Sequence, residues 1–310
     1  MTKLKHTLKL EGFDMPNGTI PFDMLVEIAE ALKEVSGGAL RVLMEGHSTK
    51  KGKQPEWLQA STAFELTGLK PGSTVLEINT PRLSDTLVSA QMPLPYGDIQ
   101  IENVSKGSAL DLGLMAFQQA FQGNDTSLLD KALLRDMQRL KRVFKNNHGS
   151  FILGGSDRSN IRLDAKRFTQ IRKLESAIAP SITARITGKL ELMRHSNSSV
   201  QIIADGQIIR AYLTDQLSFA DAKEFFGEEV TLDGIAHFDA KRKVSRFEVK
   251  TIRLASASDD YFRRMPEPLA QQLSMVQEAQ IQGYSGTKLN KVIGKWPGTE
   301  NLSELLAMLD

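Results

Sequence analysis

Lys131, Arg135, Arg142 and Lys145 recur at helical spacing, which puts four cations on one face of a helix, opposite Leu133, Leu140 and Phe144. They belong to a wider basic segment. From Lys131 to Lys173 there are twelve Lys and Arg against three acids, a local balance of +9 in a chain of net charge +2. The chemistry open to such a face is attraction of phosphates, each neutralised phosphate releasing a counterion. A solvated helix face with no ligand has the same composition. A second set of cations, Arg185, Lys189, Lys241, Arg242 and Lys243, falls in a later β-rich stretch, the last three at a turn between strands. That stretch is nearly balanced, eleven bases against ten acids, and it is poor in the aromatics on which bases stack.

Other chemistries find little support. With no cysteine, disulfides, thiolate zinc sites and cysteine nucleophiles are excluded. His6, His47, His148, His195 and His237 show no metal-ligand spacing, so neither a metal nor a cofactor is expected. Gly154-Gly155-Ser156 is not followed by the Gly-Lys-Ser/Thr of a phosphate-binding loop, although its backbone N–H groups could form an anion nest. No catalytic residue is assigned. The enzyme alternative places its site at this Gly154-Gly155 hairpin, where His148, Asp157 and Arg158 would supply a base and an anion clamp.

The elements that must position these groups are those of an α+β chain in four parts. Residues 1–92 form an N-terminal α+β unit: a strand alternating through Leu4, Leu8 and Leu10, a helix from Pro21 ended by Gly37-Gly38, and a hairpin around Lys70-Pro71-Gly72-Ser73. Residues 93–180 read as a mainly helical basic region. Ser108 caps one helix, a second runs from about Ser127 to Asn146, a β-hairpin surrounds Gly154-Gly155, and Asp164 caps a third helix. Residues 181–258 carry three strands, a short helix capped by Ser218, then two more strands, with Asp205-Gly206 as a tight turn. Three strands, one helix and two strands is the order of a five-stranded OB barrel, and the stretch resembles OB-fold domains generally, with an SH3-like small barrel as the competing arrangement. Residues 259–310 are expected to be a linker to about Met265, a helix from Pro266 to Gln280, and a docking tail.

In that tail, Trp296 stands among Gly294, Pro297 and Gly298 as a rigid apolar anchor, and Leu302, Leu305, Leu306 and Leu309 form a stripe two turns long. A helix this short must dock on something to be stable. The segment resembles the C-terminal tails of small bacterial antitoxin-type proteins paired with PIN-domain nuclease toxins. The remainder is similar to uncharacterised bacterial proteins, a resemblance that implies no activity.

No apolar run approaches the ~18 residues that cross a bilayer, and no signal peptide is visible, so a cytoplasmic protein with no membrane partner is expected. The function expected is non-catalytic binding, to nucleic acid or to a protein partner docking on the tail, the latter including antitoxin-like neutralisation of a toxin. The oligomeric state is not legible.

Overall fold

The computed structural model describes residues 2–13, 19–49, 52–70, 74–89, 106–123, 125–143, 149–155, 160–194, 198–214 and 217–269. Residues up to Leu269 form one compact unit. Lys145, His148, Asp157, Arg158, the 266–280 helix beyond Leu269 and the whole docking tail lie outside the described residues.

The first half is a helix-backed sheet. β1 (Lys3–Glu11) pairs on one side with β3 (Thr74–Pro81), which pairs with β2 (Glu65–Lys70). On its other side β1 pairs with β4 (Ser150–Gly154), which continues to β5 (Asn160–Leu163). The order β2-β3-β1-β4-β5 therefore joins the 1–92 and 93–180 segments in one sheet. They also share one apolar core, running from Leu8 through Leu110 and Phe117 to Ile178. The division expected near residue 92 is thus no boundary in the core. Strand alternation located each strand, but not which distant strand β1 would accept as its second neighbour.

The core is built around α1 (Phe22–Glu45), whose second half, Val35 to Met44, is buried on every side. Helix α4 (Ala109–Gly123) packs on it, as does α5 (Lys131–Arg139). The expected stop at Gly37-Gly38 does not occur. A β-carbon on Gly38 would stand 2.6 Å from Leu133 Cδ1, so the glycine makes room for the crossing of α5. The helix ends instead at Gly46, in the left-handed region at φ 82°, whose N–H reaches the Val42 carbonyl at 3.0 Å.

Helix α5 starts at an Asp130 cap and gives way to a 3-10 turn over Leu140–Val143, shorter than the 127–146 helix expected. Helix α6 (Ala165–Ala177) packs against it and begins, as expected, at Asp164, whose carboxylate accepts the Arg167 N–H at 2.9 Å. Two shorter helices, α2 (Glu56–Ser61) and α3 (Leu83–Ser89), flank the β2–β3 hairpin.

The second half is a closed barrel of β6 (Ile182–Arg194), β7 (Ser199–Ala204), β8 (Gln207–Leu213), β9 (Glu229–Phe238) and β10 (Val244–Leu254). Its circular order is β10-β8-β7-β6-β9, with the β8–β10 pair parallel and the others antiparallel, so the expected OB-like closure is present. Asp205 and Gly206 both take positive φ at the β7–β8 turn. Helix α7 (Phe219–Lys223) sits between β8 and β9 on a capping box of Ser218 and Asp221. Ile186, Leu190, Val200, Ile202, Val230, Leu232, Phe247 and Val249 fill the interior. Each large apolar side chain so buried contributes about 1.5–3 kcal/mol.

The linker expected after the barrel is also absent. Residues Ala257–Arg263 form a 3-10 helix held on the barrel wall. Arg253 grips Asp259 through two bonds of 2.6 Å, Arg263 grips Glu229 through two of 2.6 and 2.8 Å, and Phe262 lies 4.8 Å from the Arg185 guanidinium. Past it, Pro266 to Leu269 are not helical.

Candidate recognition face and the seam behind it

In OB barrels, strands two and three and the loop between strands four and five form the surface that takes oligomeric ligands. Here those strands are β7 and β8. Their inward residues alternate with Gln201, Ile203, Ile208, Arg210 and Tyr212 on the outside, where register pairs Gln201 with Arg210 and Ile203 with Ile208. Ile203 and Ile208 are 40% and 69% exposed, at the free end of the hairpin. The aromatic at the other end is covered. Tyr212 is only 8% exposed, its ring lies against Gly46, and its hydroxyl donates to the Leu43 carbonyl at 3.4 Å. A base cannot stack on it there.

The loop is a tight turn after Asp239, whose carboxylate accepts the Lys243 N–H at 2.8 Å. Arg242 takes φ 65° and reaches the Pro268 and Leu269 carbonyls at 3.4 Å. Lys241, Arg242 and Lys243 are exposed, with no carboxylate within ion-pair distance among the described residues.

The other cations expected to form a phosphate-binding surface are mostly paired. Arg135 meets Glu175 of α6 at 2.7 Å, Arg185 meets Asp233 at 2.6 Å, and Lys189 meets Glu191 at 2.8 Å. Such surface pairs add little stability, but they cancel the local field that would gather phosphates. Lys131 is half-buried in the first turn of α5. Arg142, on the 3-10 turn, lines a groove with Glu27, Glu30 and Glu34 of α1. The stripe read from helical spacing is therefore broken, because the helix stops at Arg139 and its neighbours bring acids.

Two polar clusters went unread in the sequence. The first surrounds His6, whose side chain is fully buried. Thr80 Oγ1 lies 3.2 Å from its Nδ1, while Asp111 Oδ1 at 2.9 Å and Ser108 Oγ at 3.3 Å both approach Nε2. Serine, histidine and aspartate are the groups of a hydrolytic triad, but a relay needs acid and serine on opposite ring nitrogens. With acid and serine crowded on one nitrogen of a fully buried ring, this cluster pins the start of α4 to β1 and β3.

The second cluster is the seam between the end of α1 and the outer wall of β8, β9 and β10. Arg246 Nη2 can only donate, so its 3.3 Å contact makes His237 Nδ1 an acceptor. His237 Nε2 is 2.9 Å from Glu248 Oε1, close enough to pair but out of line for a hydrogen bond. His47 Nδ1 and Arg246 Nε are buried without a protein partner. Burial pushes the His47 imidazole down, with Arg41 and Arg246 adding to the fall and Glu45 and Glu248 opposing it. Burial likewise lowers Arg246 and raises the Tyr212 phenol, while the His237 contact pulls the Glu248 carboxyl down. Asp130 closes the seam: it accepts from Ser48 N and Oγ at 2.8 and 2.7 Å and caps α5 at Leu133 N, 2.9 Å. Gly46-His47-Ser48 gave no signal in the sequence, since their partners come from three distant segments, β8, β10 and the start of α5.

Among the described residues, no group of three or more His, Asp or Glu could hold a metal ion, and no helix is long and apolar enough to cross a membrane. Set against family models, curated proteins and solved structures, the chain matches none.

Proposed function

We propose that this is a non-catalytic binding protein that recognises a protein partner through the β7–β8 face of its OB-like barrel. The observation that carries the reading is the cross-strand Ile203–Ile208 pair, exposed at one end of a face whose aromatic, Tyr212, is covered at the other. Exposed aliphatic side chains favour a protein surface, whereas a nucleic-acid strand calls for free aromatics and unpaired cations. The test is affinity capture from the host with the full chain and with an Ile203→Glu/Ile208→Glu variant, each with and without nuclease. Partners held by the wild type, lost by the variant and indifferent to nuclease support the reading. Capture that is unchanged in the variant, or that nuclease abolishes, defeats it.

A single-stranded nucleic acid is the second reading, favoured by the exposed Lys241-Arg242-Lys243 loop beside that face. Labelled RNA and DNA titrated across a salt series decide it: no retention at low salt, or no salt dependence, ends it. The antitoxin-like version rests on the sequence of residues 294–310. Deleting that tail would abolish toxin capture and leave the barrel folded.

A further inference from the structure

We propose that the contact between the end of α1 and the outer wall of β8, β9 and β10 is a proton-sensitive dock, which releases the barrel from the helix-backed sheet in mildly acidic medium. This goes beyond the function proposed above and stands without it.

Two observations on the build of the seam carry the inference. First, the barrel core and the core of the sheet are separate apolar clusters. What joins them at the seam is a small apolar patch, the Tyr212 ring on Gly46 and Ala240 against the sheet core, mixed with polar links: a long Tyr212–Leu43 bond of 3.4 Å, an Ala240 N–H to Thr126 Oγ1 bond of 2.8 Å, and the charged cluster. Second, two buried nitrogens without a protein partner gather there, His47 Nδ1 and Arg246 Nε, beside the 2.9 Å His237–Glu248 pair. A contact that mixes a small apolar patch with several ionisable groups is one that a change of charge can weaken.

The charges facing the two histidines come from every element of the seam. Helix α1 brings Arg41, paired with Glu45 at 2.9 Å. Strand β10 brings Arg246 and Glu248, the start of α5 brings Asp130, and Arg194 of β6 and Arg210 of β8 stand near Tyr212. Glu45 is paired with Arg41 and the Asp130 charge acts on Arg246, so Glu248, 2.9 Å from His237, is the carboxylate nearest a new charge on that ring.

With both rings neutral, His237 accepts from Arg246. A proton on His237 Nδ1 sets two donors against each other at 3.3 Å. A proton on His47 adds a third cation to a half-buried site where the charges of Arg41 and Arg246 already oppose it. Separating barrel from helix returns these groups to water, which relieves both conflicts.

The chain has no cysteine, so a donor and an acceptor dye can be attached only where cysteines are introduced, at the exposed positions Asp23→Cys on α1 and Gln207→Cys at the barrel tip. Energy transfer in the full-length double variant is followed from about pH 7.5 to about pH 5, with far-ultraviolet circular dichroism in parallel. The expected result is reversible loss of transfer with the secondary structure intact. Adding His47→Gln and His237→Gln should shift that loss to lower pH or remove it. A flat trace, the same midpoint with and without the histidines, or loss of transfer together with secondary structure would each overturn the proposal.

Discussion

Tyr212 and Gly46 touch so closely that a β-carbon on residue 46 would stand 2.6 Å from both Cδ2 and Cε2 of the tyrosine ring. The helix cap and the barrel wall are thus fitted to each other: the residue that ends α1 in the left-handed region is also the floor on which Tyr212 lies. Gly46→Ala meets two penalties, the positive φ and the ring. A loss of roughly 2 kcal/mol or more is expected, read as a lower denaturant midpoint. Tyr212→Leu removes the ring, so combining it with Gly46→Ala should recover part of the loss, a non-additivity that two unconnected sites would not show.

Stability should fall in acid. The His47 imidazole is lowered from 6.5 by burial, so the unfolded chain binds the proton first as pH drops. Its contribution is therefore present above about pH 6.5 and declines below it. Glu248, held below its ordinary value of 4.5, acts in the same sense at lower pH: its contribution is present above that value and lost as pH falls through the lowered one. Urea midpoints measured at neutral and mildly acidic pH should drop toward acid, and His47→Gln should flatten the upper part of that slope.

Asp259 closes the 3-10 helix onto the barrel. Its carboxylate takes both Arg253 nitrogens and the Ser256 N–H, and these donors hold it far below the usual carboxylate range. Asp259→Ala leaves Arg253 and the Ser256 N–H without that acceptor. Trypsin cleavage after Arg263 and Arg264 should quicken while the barrel amides keep their slow hydrogen exchange; unchanged cleavage would count against the clasp.

The loop cations separate the two binding readings. With a protein partner on Ile203 and Ile208, changing Lys241, Arg242 and Lys243 to Glu should leave capture unchanged. With a nucleic acid on the loop, the same triple variant should weaken binding at all sequences and flatten the salt slope by about 0.7 per lost phosphate contact on a single strand.

Local features were legible from the sequence wherever the deciding interaction is local. The Asp164 and Ser218 caps, the Asp205-Gly206 turn, and Phe247 with Val249 inside the barrel each follow from residues within a few positions of one another. Gly38 shows where such reading stops. A helix-ending glycine and a glycine admitting a neighbouring helix look alike until Leu133 is known to lie against it.

The candidate site divides in the same way. Spacing placed Arg135, Arg185 and Lys189 as cations on exposed faces, but Glu175, Asp233 and Glu191 decide whether those charges are free. Neither the partner of a charge nor the cover on Tyr212 is written in periodicity.

The chain on its own terms determined an α+β protein with a five-stranded closed barrel, because strand alternation, caps and tight turns are properties of neighbouring residues. Tertiary structure alone decided that β1 takes β4 as its second partner, that Tyr212 is covered by the end of α1, and that His47, His237, Arg246 and Glu248 share one half-buried seam. The reason is physical. Burial and Coulomb energy depend on distance through space, and residue 47 comes under the charges of residues 246 and 248 only once the two separate cores have met.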